Sequence, residues 1–198
     1  MMSSSNRLHK AFAAFDAYNA EDPRREEYNH QVFPKELLYA RRMTERLNAF
    51  APQAPEWLQL AARCQHIGRW QIPRESYPMD RRGYLRWRNR LKQHHATIAQ
   101  QILSDCGYDR NMIDKVKSLI QKKQLHQNPE AQLLEDVVCL VFVEHYLETF
   151  ATRHDDAKVV DILAKTMIKM SPHAIEAALR LPVSEPVRIL LDSAAGAV

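Results

Sequence analysis

Glycine is scarce, with four residues in a chain of 198. A Gly-rich phosphate loop, a dinucleotide-binding turn and a hairpin-rich all-β fold each need several residues free to take positive φ, so all three are excluded. Cysteine is scarce as well. Cys64, Cys106 and Cys139 make an odd count with no CxxC spacing. That argues against a disulfide framework or zinc ribbon and for a reduced, cytoplasmic setting. No stretch approaches the ~18 uninterrupted apolar residues of a membrane span, and MMSSSNRLHK at the N-terminus has no apolar core for a secretion signal. No membrane association is therefore expected. Neither HxxxH nor HExxH occurs, so histidine spacing alone marks no metal site.

What is present reads at helical period almost throughout. Apolar residues make up 45% and charged residues 26%, the balance of a globular chain able to bury a core. Helices are expected from Ser4 to Ala20, from Pro34 through Phe50, and from Pro55 to Gly68, with a charged loop over Glu21–Gln31 after the first. Asp80 caps a long helix ending at Gly107, and Asp109 caps another ending at Lys122-Lys123. Asn128-Pro129 starts a helix whose centre, Val137–Val143, is seven apolar residues in a row, which predicts a central helix buried on all sides. Helices near 156–170 and 172–181 and a short piece after Pro186 complete the chain. No strand is expected, and the fold class is all-α with about eight helices.

The net charge of +4 is modest, but its distribution is not. Between Arg63 and Lys92 nine cations, eight of them Arg, face two anions, Glu75 and Asp80. Arginine's planar fork suits phosphate and carboxylate, and the interleaved Trp70, Tyr77, Tyr84 and Trp87 favour a shaped anion site over a merely solvated face. Direct RNA binding is disfavoured, since nothing resembles the exposed aromatic platform of single-strand readers.

Three further features carry chemistry. Asp136, beside Glu135, has Leu133, Cys139 and Leu140 as helical neighbours, so its carboxylate must be paired, ligated or protonated. His66 lies where the third helix runs down, and His94-His95 lie on the fourth. Finally, His66-Ile67-Gly68 and Lys169-Met170-Ser171 look like the two signatures of class I aminoacyl-tRNA synthetases. Those signatures work on a parallel nucleotide-binding sheet with Gly-rich turns, and this sequence offers neither, so that activity is not expected.

The order of these pieces resembles the HD-domain superfamily, all-α proteins that bind divalent metals and hydrolyse phosphate esters. LAARCQHIG (60–68) matches its His-Asp-Ile-Gly helix with Gln65-His66 in place of His-Asp; His95-Ala96 matches its later His-Ala helix; Glu36 falls at the early His and Asp136 at the late acid. Along nearly the whole length the chain also resembles the bacterial and fungal domain-of-unknown-function family 4202, some members of which are labelled glutamyl-tRNA synthetase. The shared motifs are FDxxNxxDP (Phe15 to Pro23), PKELLYxxRM, QHIxRWxIPRxxYPM, GYLxWR and LEDxxCLVF.

The resemblance implies a single HD-like helical domain over 1–198, with an N-terminal helix and loop (1–31), a core (32–153) and C-terminal helices (154–198). It further implies a phosphohydrolase-like enzyme with at most one divalent ion, zinc, manganese or iron, on Glu36, His66, His95 and Asp136. His66, His95 and Asp136 are the expected catalytic residues. A small phosphorylated metabolite or nucleotide would be held by Gln65, Arg69, Trp70, Arg74, Tyr77, Arg82, Tyr84, Arg88, Lys122 and Lys123. Loss of the His-Asp pair supports an alternative, a catalytically degenerate protein that binds an anionic metabolite and acts as a regulator or scaffold. A homodimer is compatible with either.

Overall fold

The computed structural model describes residues 4–123 and 127–197. The protein is essentially all-α, and its chain groups into two compact units, residues 1–123 and 124–198.

The first unit contains α1 (Ser4–Ala20), a hairpin of β1 (Arg25–Tyr28) and β2 (Gln31–Pro34), α2 (Lys35–Phe50), α3 (Glu56–Arg63), α4 (Arg81–Asp105) and α5 (Arg110–Ile120). The hairpin corrects the expectation of a charged loop without strands. Its antiparallel register pairs Arg25 with Pro34 and Tyr28 with Gln31. Asn29 and His30 both take positive φ, the geometry of a two-residue turn that follows the strand twist. Asn-His lacks the glycine that normally signals such a turn, and the strands REEY and QVFP are too short and polar to alternate visibly.

Helix ends follow the sequence closely. Asp80 accepts from the Gly83 N–H at 2.6 Å, and Asp109 from that of Met112 at 2.8 Å. α3 is shorter than expected, closing at Arg63 rather than Gly68; the chain then turns through Gly68 (φ 68°) into short 3-10 turns at Arg69–Gln71 and Arg74–Ser76. His66 therefore sits in a turn. The core of this unit is built on Phe15, Met43, Leu47, Leu58, Leu60, Ile67, Leu103 and Ile120. Arg63 clamps it from the side, donating to both oxygens of Asp16 at 2.8 and 2.6 Å and to Thr44 Oγ1 at 3.1 Å, so one guanidinium ties α1, α2 and α3.

The second unit holds α6 (Pro129–His145), α7 (Leu147–Ala151), α8 (Asp156–Met167), α9 (Pro172–Leu179) and α10 (Glu185–Ala195). α7 has no counterpart among the helices expected from periodicity. The short C-terminal piece is an 11-residue helix. α6 starts on Asn128, whose side chain accepts from the N–H groups of Glu130 and Ala131. Its apolar centre is not buried on all sides. Val137, Cys139, Leu140, Val141 and Val143 are buried, whereas Val138 and Phe142, one turn apart, are half-exposed. Among the described residues no helix is long and apolar enough to cross a membrane. None of the three buried cysteines is in a disulfide.

Gly83 is required by a close approach. A Cβ there would lie 2.0 Å from the Pro78 carbonyl oxygen, a backbone atom with no freedom to yield. Gly83→Ala is expected to lower unfolding stability by about 2–4 kcal/mol in denaturant titrations, despite alanine's better helix propensity. A neutral or stabilised variant would show that this turn adapts.

Candidate functional site

The site begins where α1 ends. Asp22 is fully buried, and its Oδ2 accepts from the Glu36 N–H at 3.1 Å, capping α2, whose own N-cap, Pro34, offers no side-chain acceptor. Arg24 folds back on this group. Its Nε and Nη2 donate to Asp22 at 3.1 and 3.0 Å, and Nη2 also donates to Glu36 Oε1 at 2.7 Å. Burial pushes the Asp22 carboxyl up, but the bonds from Arg24 outweigh it and hold the group below its ordinary value. At Glu36 burial prevails over attraction by Arg69 and Arg24, and its carboxyl is raised.

Glu36 Oε2 faces the next element. It lies 3.7 Å from His66 Nδ1, whose ring stacks on Tyr39 at 4.2 Å with planes 13° apart. Arg69 Nη1 lies 3.5 Å from His66 Nε2. A guanidinium can only donate, so Nε2 is the acceptor and Nδ1 carries the proton that faces Glu36. Burial, with repulsion from Arg69, His95, Lys122 and Arg88, holds the imidazole well below its ordinary value, so it is neutral at pH 7.

His95, on α4, lies beside it, with ring centroids 5.9 Å apart. Its Nδ1 donates to the Ile67 carbonyl at 2.6 Å, which makes Nε2 an acceptor. That Nε2 is buried with no hydrogen-bond partner, as is Gln65 Oε1. Burial holds the His95 pKa at about 3. Asn19 completes the frame, its Oδ1 accepting from the Gly68 N–H at 3.3 Å.

The cations divide by what they touch. Arg69 lies over the face of Trp87 at 4.8 Å and, among the described residues, makes no ion pair. Burial, together with repulsion from Arg24 and Arg88, depresses its pKa despite the attraction of Glu36. Arg88 is half-buried, its Nη1 3.4 Å from the Tyr84 hydroxyl. Lys122 sits close enough to act on His66. Arg74 serves the backbone instead. Its guanidinium donates to the carbonyls of Tyr77, Pro78 and Asp80 at 3.0, 2.8 and 3.3 Å and shapes the loop before α4. Tyr77 takes part through its main chain. Trp70 tilts against Tyr18 at 5.8 Å, and Arg82, Tyr84 and Lys123 are exposed. The structure thus gathers Glu36, His66, His95, Arg69, Arg88 and Lys122.

Asp136 belongs to the second unit, where both its oxygens are engaged. Oδ1 accepts from the Ser171 N–H at 2.8 Å and from Gln132 Nε2 at 2.9 Å; Oδ2 accepts from Ser171 Oγ at 2.7 Å. Ser171 Oγ in turn accepts from the Ala174 N–H, so the buried acid anchors the cap of α9. Lys169-Met170-Ser171, the synthetase-like triplet, is this cap. Among the described residues no group of three or more His, Cys, Asp and Glu is arranged to hold a metal ion. Glu36 already binds Arg24, His66 Nε2 already accepts from Arg69, and Arg69 and Lys122 would repel a cation.

Sequence reasoning missed Asp22, Arg24, Asn19 and Tyr39. The FDxxNxxDP motif contained the signal for Asn19 and Asp22, since polar residues at fixed spacing around a helix end are candidate caps.

The chain belongs to the family described as a domain of unknown function, DUF4202, whose model matches residues 9–191. No curated protein and no solved structure matches it.

Asp136→Ala is expected to cost about 2–4 kcal/mol in denaturant unfolding, because it strands the Ser171 N–H and unpins α9. For His95, the folded pKa of about 3 lies below the unfolded value, so the unfolded chain binds more protons between pH 6.5 and 3. Stability is then complete above pH 6.5 and falls as pH drops through that window. His95 alone contributes a loss of about 2 kcal/mol between pH 7 and pH 5. The depressed His66 acts in the same direction and the raised Glu36 in the opposite one. His95→Phe should flatten the pH 5–7 slope of the unfolding free energy, and an unchanged slope would refute this.

Proposed function

We propose that the first unit binds the anionic group of a small phosphorylated metabolite or nucleotide without a metal, and that the protein acts as a regulator or scaffold. The observation that supports this is Arg69. Its guanidinium is half-buried, rests on an indole and makes no ion pair with a described residue. A partly desolvated cation whose nearest acid is shared with another guanidinium is costly, and an anionic ligand adds the charge it lacks. Arg88 and Lys122 add positive charge to the same neighbourhood, and the neutral His66 makes no demand for a counter-ion. Glu36 attracts Arg69 but is also bonded to Arg24, so one carboxylate faces two guanidiniums. The three cysteines suit a reducing, cytoplasmic setting.

Hydrolysis of a phosphate ester is the second reading, and one observation favours it. The buried His95 Nε2 is an acceptor with no partner, able in principle to take a proton from an attacking water. With a pKa of about 3 it is a weak base at neutral pH, so binding is the better-supported role.

The test is thermal unfolding in the presence of chelator with inorganic phosphate, pyrophosphate and AMP. At a ligand concentration 100-fold above Kd the wild type should gain about 5–10 °C. Arg69→Met should lose that gain, and the shift should not depend on added zinc, manganese or iron. Phosphate release from AMP or pyrophosphate, abolished in His95→Phe, would favour the hydrolytic reading. A ligand shift that requires metal would overturn the metal-free one.

A further inference from the structure

The outward side of α4 carries an arrangement that the isolated chain has no local reason to keep. Arg82, Arg86 and Arg90 follow at i, i+4 and i+8, with Arg81 beside them and Leu85 52% exposed among them. Arg81 and Arg82 occupy the first turn of α4, where they stand with the Asp80 N-cap, so two cations face one carboxylate at the positive end of the helix dipole. Arginines four residues apart repel one another. Leu85, and Met79 just before the helix at 76% exposure, leave apolar surface in water. None of the four arginines makes an ion pair with a described residue. Each feature is unfavourable alone, and a partner presenting acids around an apolar side chain relieves all of them together.

This chain contains such a surface. On α10, Glu185, Ile189 and Asp192 stand at i, i+4 and i+7 on the exposed face, with Ile189 58% exposed and neither acid in an ion pair with a described residue. The charges of the two units differ in the same sense. Residues 1–123 hold 22 of the 28 Lys and Arg, whereas residues 124–198 hold 11 acids against six Lys and Arg. We propose that α4 of one copy docks on α10 of a second copy of this chain, with Arg82 and Arg86 meeting Glu185 and Asp192 around a Leu85–Ile189 contact. A nucleic acid would satisfy the arginines but offers nothing to Leu85 or Met79, so the protein partner is the better match. The two patches differ, so the contact is head-to-tail and its signature is a rise in average mass rather than one fixed stoichiometry.

Sedimentation equilibrium of the full chain tests this. In low salt the weight-average mass should climb above 23.0 kDa with concentration, and in high salt it should return toward that value. R82E/R86E and E185K/D192K should each weaken association at least ~10-fold, while circular dichroism confirms that they are folded. Mixed in equal amounts the two reversed variants should associate again, because each now presents the charge the other needs. A wild type that stays monomeric at all concentrations in low salt overturns the proposal. So does a mixture of folded variants that remains monomeric. A third overturning result is a monomeric wild type that binds a labelled oligonucleotide through Arg82 and Arg86 at physiological salt.

Discussion

A carboxylate buried at the first turn of a helix is tolerable only if its charge is answered, and Arg24 answers two such groups at once. Its fork reaches Asp22 and Glu36 together, while Asp22 caps the helix that presents Glu36. This bridge joins the end of α1, the start of the hairpin and the start of α2. It also fixes which way Glu36 can act. With Oε1 committed to Arg24, Oε2 is left to face His66, and the one carboxylate is shared between the attraction of Arg24 and that of Arg69. The electrostatics of this corner of the first unit therefore depend on how one guanidinium divides itself between two acids.

Neutral imidazoles make the same point from the other side. His66 is half-buried and crowded by cations, His95 is buried beside Arg69, and neither holds a proton at pH 7. A charged His66 would be repelled by Arg69 and Lys122, and a charged His95 by Arg69. The Ile67 carbonyl fixes one ring and Arg69 the other, so hydrogen bonding sets both tautomers.

Two residues expected at the site, Asp136 as a catalytic acid and Arg74 as an anion-binding group, are engaged by the protein's own backbone. Asp136 sits among apolar neighbours, as its helical spacing implied, but its charge is answered by the cap of α9. Arg74 lies in the densest run of arginines yet holds carbonyls of its own loop. Both illustrate one rule. A buried charge signals that a partner exists, and sequence does not say whether that partner is a ligand or the backbone.

The all-α class, the caps at Asp80, Asp109 and Asn128, and the concentration of arginine from Arg63 to Arg90 were determined by the sequence. They depend on interactions within a few residues, where periodicity and side-chain chemistry suffice. The hairpin turn at Asn29-His30 escaped because its positive φ values are imposed without glycine, and α6's half-exposed Val138 and Phe142 because apolar runs do not reveal how much of a helix is covered. Which charges meet was decided only in three dimensions. Arg24 and Glu36 are 12 positions apart, His95 and Ile67 are 28, and Asp136 and Ser171 are 35. Pairings at that range depend on how helices pack, and it is packing that set Arg69 over an indole while giving Asp136 a serine.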